Sequence, residues 1–350
     1  MPESASPPLR RRTVTWADPA PLAVARRAQS GLDFFRAIAA GALPQPPIYD
    51  LLGFRLVGAD PGTARFEGET GDHLLNPFGT VHGGYAATLL DSACGVGLQS
   101  TLPQGRGTAT IRLEVSFLHP ILPAMGRITC VSKLIHAAEQ VAWSEADVLG
   151  PDGKVLARGR GCFAIFATES GPWQGNGTAE IPAPVYESKE IAWDDPAILR
   201  AAAPRMSGLE FLAAQAAGTL PVAPIHKSAH YDPAEIAPGR AVYRCTPEAY
   251  HYNPMGGVHG GLAAILVDTA AGAAIQTAQP KGRGGTAVTL AVDYFRPITR
   301  DSGPLLAEGK LVRAGTRIGL ADAEVKDERG TVYARGSATY LSYALEGGET

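Results

Sequence analysis

Several signatures that would assign a chain quickly are missing here. No run of about 18 apolar residues occurs, so no segment reads as a membrane-spanning helix. Arg10 to Arg12 form a short basic run with no apolar stretch behind it, which is not a secretion signal. A net charge of −3 gives no electrostatic case for nucleic acid or an anionic membrane. The four cysteines, Cys94, Cys130, Cys162 and Cys245, form no C-x-x-C, and no histidine cluster stands at zinc-ligand spacing. They read as small interior residues of a reduced protein. A G-x-S-x-G nucleophile turn, a phosphate-binding P-loop and a dinucleotide fingerprint are absent too. With 45% hydrophobic and 19% charged residues, the composition indicates neither disorder nor a membrane protein. The cytoplasm is the expected compartment, and no metal or organic cofactor is expected.

What the 350 residues do contain is a repeat. A shift of 177 positions lays Ser30-Gly31-Leu32 on Ser207-Gly208-Leu209 and Asn76-Pro77 on Asn253-Pro254. The same shift carries His82-Gly83-Gly84 onto His259-Gly260-Gly261, Asp91 onto Asp268, and Gly105-Arg106-Gly107 onto Gly282-Arg283-Gly284. It still holds at Ala157-Arg158-Gly159 and Ala334-Arg335-Gly336, with no gap from Ser30 onward. No cysteine falls on another cysteine, which supports the structural reading of all four. The expected organisation is a disordered Pro/Arg-rich tail over 1–15, a first unit over 16–168, a linker over 169–204 and a second unit over 205–345.

Each unit reads as a short amphipathic helix ending at Gly41 or Gly218, then an extended segment, an Asn-Pro loop and a helix starting at the Gly-Gly pair. Period-two alternation follows at Ile111, Leu113, Val115 and Phe117, and again at Val288, Leu290, Val292 and Tyr294. Two more strand-like runs close each unit. One long helix against an antiparallel sheet is an α+β plan.

The helices over 85–99 and 262–276 carry the most information. Ala, Gly, Leu and Val all round mean burial, and each helix holds one charge, Asp91 or Asp268. A carboxylate there loses hydration worth several kcal/mol unless partnered, which points to a general base or nucleophile with a perturbed pKa. The Gly-Gly pair lets a carbonyl-bearing ligand approach unpaired helix N-terminal N–H groups, an arrangement suited to a developing oxyanion. Gly83 and Asp91 lie eight residues apart, or about 12 Å along a helix, so Asp91 cannot serve its own N-terminus. An antiparallel neighbour could. Two composite sites are therefore expected. One joins Asn76, His82 and Gly83 with Asp268, and the other joins Asn253, His259 and Gly260 with Asp91.

The pattern Asn-Pro-x-Gly-x-Val-His-Gly-Gly, with an Asp nine residues after the His, resembles the hotdog-fold acyl-CoA thioesterases of the PaaI-like branch. The likeness covers nearly all of both units. It implies tandem hotdog domains, each a long central helix wrapped by a curved antiparallel sheet, forming an internal pseudo-dimer that hydrolyses acyl-CoA. Asp91 and Asp268 would be the bases or nucleophiles, and Gly83 and Gly260 would polarise the thioester carbonyl. The Asn and His residues would position water and thioester, with Gly84 and Gly261 beside the substrate. Thr110 fills the family's hydroxyl position on the strand, while Ala287 fills it in the second unit, so the Asp268 site is expected to be slower or tuned to another substrate. Arg106, Arg283, Arg158 and Arg335 are candidates for the CoA phosphates. A homodimer or higher oligomer of the chain is expected. The rival readings are a hotdog enoyl-CoA hydratase or dehydratase and a non-catalytic acyl-CoA-binding module.

Overall fold

The computed structural model describes residues 9–168 and 180–346. In chain order the first unit comprises β1 (Arg10–Ala17), α1 (Ala20–Ala28), α2 (Gly31–Ala39), α3 (Pro47–Leu52), β2 (Phe54–Asp60), β3 (Thr63–Glu69), α4 (Gly83–Gln99), β4 (Arg106–Phe117), β5 (Arg127–Ala137), β6 (Val141–Leu149) and β7 (Val155–Ala167). Then come β8 (Tyr186–Trp193), α5 (Pro196–Ala202), α6 (Gly208–Ala216), α7 (Pro224–Ala229), β9 (Tyr231–Ala237), β10 (Arg240–Cys245), α8 (Gly260–Gln276), β11 (Arg283–Tyr294), β12 (Leu305–Ala314), β13 (Ile318–Asp327) and β14 (Val332–Ala344). Twelve strands form one antiparallel sheet in the order β2-β3-β5-β6-β7-β4-β11-β14-β13-β12-β10-β9. The α4 helix packs on the first six strands, and α8 packs on β11, β14, β13, β12 and β10. These are two tandem hotdog domains sharing one sheet.

The shared sheet closes about a pseudo-dyad. β4 pairs with β11 from Arg112–Asp293 to Ser116–Thr289, centred on Glu114 opposite Ala291. Adding 177 to 114 gives 291, so this strand pairs with its own repeat. The same logic governs β1 and β8, which pair antiparallel with Thr13 opposite Glu190, again 177 apart.

This strand pair corrects two expectations. The tail expected over 1–15 forms β1 from Arg10 on, while residues 1–8 lie outside the described residues. The linker expected over 169–204 contains β8 and α5. The reason is that the duplication reaches further than Ser30: Trp16-Ala17-Asp18-Pro19 falls on Trp193-Asp194-Asp195-Pro196 at the same offset. Each tryptophan is buried, and together they seal a small cluster with Val14, Ile191, Leu51 and Tyr250. The segment has too few apolar positions for periodicity to reveal it, and its partner strand is more than 170 residues away.

The helices start where local chemistry dictates. The Ser30 hydroxyl accepts from the Asp33 N–H, and Ser207 forms a reciprocal capping box with Glu210. The 17-residue helices α4 and α8 are buried along almost their whole length. A continuous core runs through both units.

Because the β1–β8 strand pair is held by its tryptophans, Trp16→Ala should lower unfolding stability by roughly 3 kcal/mol, the cost of emptying a buried aromatic site. A urea titration measures this; an unchanged midpoint would mean that the strand pair is not part of the cooperative unit.

Candidate active site

The α4 and α8 helices cross antiparallel, and glycines set their distance. A Cβ on Gly84 would stand 2.5 Å from the Cα of Ile265, and one on Gly261 would stand 2.3 Å from Thr88 Cγ2. Gly84 and Gly261 are thus crossing-point residues, which corrects their expected place beside the substrate. A two-helix interface of small residues leaves no volume for a ligand there.

The crossing brings each aspartate to the other helix's N-terminus. Asp268 Oδ2 accepts the Gly84 N–H at 3.0 Å and would lie 2.8 Å from a Cβ on Gly83. Symmetrically, Asp91 Oδ2 would lie 3.0 Å from a Cβ on Gly260. The structure brings together Asp268 with His82 and Gly83, and Asp91 with His259 and Gly260. Among the described residues, the N–H groups of Gly83 and Gly260 have no acceptor, as the first position of a helix dictates. Each site therefore presents one carboxylate oxygen beside one free donor.

The other carboxylate oxygen is held differently in the two sites. Thr110 Oγ1 donates to Asp91 Oδ1 at 2.9 Å from β4. In the second unit Ala287 stands at that position, and the Tyr340 hydroxyl on β14 donates to Asp268 Oδ1 at 2.7 Å. The hydroxyl absent from position 287 is thus supplied to Asp268 from another strand. Thr110 pairs across the sheet with Phe163, and Ala287 pairs with Tyr340. A β-bulge follows each of these pairs, aiming that stretch of strand at the helix. Tyr340 was missed because Phe163 to Tyr340 looks like a change between two interior aromatics. The signal available was the simultaneous loss of Thr at its cross-strand partner.

Burial pushes the Asp91 carboxyl up to about 6, with the Thr110 hydrogen bond pulling the other way. The histidines are pushed down by the same burial: His259 to about 4, and His82 below its ordinary value despite Asp268 nearby. Both are neutral near pH 7. Their Nδ1 atoms accept the N–H groups of Gly84 at 3.0 Å and Gly261 at 2.8 Å, capping α4 and α8. Their Nε2 atoms meet Thr269 Oγ1 at 3.1 Å and Ser92 Oγ at 2.9 Å, in the crossing helix. The 3.3 Å approach of His82 Nδ1 to Asp268 Oδ2 is thus shared acceptance of one N–H, not an ion pair. Both ring nitrogens of each histidine are thus engaged, one in capping its own helix and one in pinning the crossing helix.

Asn76 lies in the wall of the same site, but its carboxamide is spent locally. Oδ1 accepts from Phe78 and Thr80 N–H, and Nδ2 donates to Thr80 Oγ1 at 2.7 Å. Asn253 Oδ1 likewise accepts from Met255 and Gly257 N–H. These are Asx-turns that shape the loop before the helix. The four repeated arginines do not line the site. Arg158 makes a two-point pair with Asp147, and Arg335 pairs with Glu324 across adjacent strands. Arg106 donates to the Glu139 carbonyl, and Arg283 ties β11 to Ser342. Their repetition reflects sheet construction.

A cavity of about 650 Å³ opens beside Asp268, within the size range of small-molecule pockets. His82, Gly83, Phe117, Asp268, Thr269 and Tyr340 stand at its reacting end. Leu118, Ile121, Phe211 and Leu212 give it apolar walls. Among the described residues no cluster of three metal-ligating side chains occurs, and no helix is long and apolar enough to cross a membrane.

Tandem hotdog domains with a carboxylate delivered to each helix N-terminus define the class of protein. The model of the thioesterase superfamily matches residues 78–157 and, a second time, residues 255–334, once in each domain. A Halobacterium salinarum protein named as an esterase is 43% identical over 72 residues, 20% of this chain and 46% of that one. The chain thus spans about half the length of that relative. The 1,4-dihydroxy-2-naphthoyl-CoA hydrolase of Listeria monocytogenes is 22% identical over 118 residues, 34% of this chain and 94% of that one. The solved structure of an acyl-CoA thioesterase II from Mycobacterium marinum shares the fold at 14% identity with a TM-score of 0.50, covering 87% of this chain and 99% of that one.

If His82 works as a helix cap, His82→Ala should cost about 1 kcal/mol of stability beyond the loss of packing, while His82→Asn, which can still cap, should recover that part. Comparing the two variants by thermal unfolding decides it. Equal destabilisation would contradict the capping role.

Proposed function

We propose that the chain hydrolyses acyl-CoA thioesters to CoA and a carboxylate, in the manner of the PaaI-like enzymes. The observation that carries this reading is Asp268 Oδ2 standing beside the free Gly83 N–H at the end of an apolar cavity. The thioester carbonyl oxygen binds the Gly83 N–H, where the partial positive charge of the helix N-terminus favours it as it becomes an oxyanion. Asp268 accepts a proton from water as the water oxygen bonds to the carbonyl carbon. The tetrahedral intermediate then collapses, the C–S bond breaks, and the departing CoA sulfur takes the proton back from the Asp268 carboxyl. Asp91 and Gly260 perform the same steps in the second site. The apolar walls hold the acyl group. No step calls for a metal or organic cofactor, and a further oligomer of the double-domain chain, working in the cytoplasm, fits this reading.

The engaged histidines favour hydrolysis over hydration or dehydration. A His–Asp hydratase pair needs an imidazole free to move a proton, whereas here both ring nitrogens are occupied. Retention of a buried aspartate in both units counts against a binding-only module, since a desolvated carboxylate is costly to keep.

Free-thiol release should be measured on aryl, short-chain and medium-chain acyl-CoA with the wild type, Asp91→Asn, Asp268→Asn and the double variant. The double variant should fall by about 10²-fold or more, the usual contribution of a general base. In Asp268→Asn the remaining activity depends on Asp91 as an ionised base, so its rate should be full above and lost below about pH 6. Undiminished hydrolysis by the double variant would rule out the aspartate mechanism.

A further inference from the structure

The two active sites differ in a way that the duplication makes legible. In the first unit the hydroxyl on the aspartate comes from Thr110, and its cross-strand partner Phe163 is a bare ring buried near Gly95 and Cys94. In the second unit the threonine is replaced by Ala287, and the partner in the same pair is Tyr340. The two changes are complementary: one member of the pair loses a hydroxyl and the other gains one. The hydroxyl arrives from the neighbouring strand and still meets Oδ1 of the aspartate, at 2.7 Å against 2.9 Å in the first unit.

We propose that Tyr340 is the positioning residue of the Asp268 site, the functional replacement for Thr110 rather than a wall residue. The proposal rests on the thioesterase reading of that site. Its geometry is specific. Tyr340 Oη also lies 3.1 Å from the backbone carbonyl of Asp268, so the phenol is placed by the same residue that it orients. With Oδ1 held by the phenol and Oδ2 by the Gly84 N–H, the carboxylate plane is fixed at both oxygens. Oδ2 is then turned toward Gly83, where the water must be activated. Burial raises the phenol well above its ordinary value, so it remains a donor at any pH at which the protein works.

The helix makes room for this arrangement. A Cβ on Gly272 would lie 2.4 Å from Tyr340 Oη, whereas at its counterpart Gly95 the Phe163 ring stays 3.6 Å away. Glycine at 272 therefore serves the hydroxyl itself, beyond general helix–sheet packing. Leu341 and Tyr343 of the same strand line the cavity with Tyr340, so the exchange also brings β14 into contact with whatever the Asp268 site holds. Ala287 itself lines this cavity, at the position where the first unit has Thr110.

The test uses the full chain carrying Asp91→Asn, so that only the Asp268 site reports. Tyr340→Phe should lower kcat for thioester hydrolysis by about 10- to 100-fold while KM changes less than about 3-fold, the range for losing a hydrogen bond to a catalytic charge. Adding Ala287→Thr to Tyr340→Phe installs the first unit's arrangement and should restore kcat to within about 3-fold of the parent. An unchanged kcat in Tyr340→Phe would overturn the proposal, as would failure of Ala287→Thr to raise it. A parent that releases no thiol from any acyl-CoA would instead overturn the thioesterase reading. In that case, a crystal structure of the Ala287→Thr/Tyr340→Phe chain still decides the exchange. The new hydroxyl should lie within hydrogen-bond distance of Asp268 Oδ1, and a hydroxyl turned away would refute the equivalence.

Discussion

The crossing of α4 and α8 is the contact on which the rest of the molecule depends. Gly84 against Ile265 and Gly261 against Thr88 let two backbones meet closely enough for each aspartate to reach past its own helix. One N–H, that of Gly84, serves both the cap from His82 and the carboxylate of Asp268. Packing and chemistry are therefore the same interaction seen from two sides. A single unit has the N-terminus but not the aspartate that faces it, so duplication completes each site. The continuous twelve-strand sheet and the two-stranded β1–β8 sheet fix the two units about one pseudo-dyad and hold the crossing in register.

Duplication also freed the two halves to diverge. Both sites keep an aspartate, a capping histidine and an unpaired glycine N–H. Around that shared centre the supports differ: a threonine on β4 in one site and a tyrosine on β14 in the other. The surroundings change accordingly, with Gln215 and His226 in the Asp268 cavity where Ile38 and Tyr49 stand 177 positions earlier. A homodimer of single domains could not make these changes, because every substitution would appear in both sites at once.

Much of this was legible in the residues. A repeat without gaps named two domains, and one buried charge per helix, about 12 Å from its own N-terminus, pointed to exchange between helices. What was not legible has physical causes. Gly84 and Gly83 are indistinguishable as letters, yet one faces Ile265 and the other faces the carboxylate. The arginines at 106, 158, 283 and 335 recur because strand pairing recurs, and recurrence alone does not separate a sheet-surface ion pair from a ligand contact. The asparagines and histidines were recognisable as members of the constellation. Their work as turn and cap residues depends on which N–H groups lie within hydrogen-bond distance, which a linear pattern does not contain. The β1–β8 pair escaped notice because its two strands have weak patterns and lie more than 170 residues apart in the chain.

The central claim is that each site is assembled from both halves of the chain. Its most direct test is the kcat/KM for acyl-CoA hydrolysis in the Asp91→Asn chain, measured again after adding either Gly83→Ala or Gly260→Ala. Exchange between helices predicts that Gly83→Ala, which crowds Asp268, abolishes the remaining activity while Gly260→Ala leaves it intact. Loss of activity with Gly260→Ala and survival with Gly83→Ala would mean that Asp268 serves its own helix, and would contradict the account.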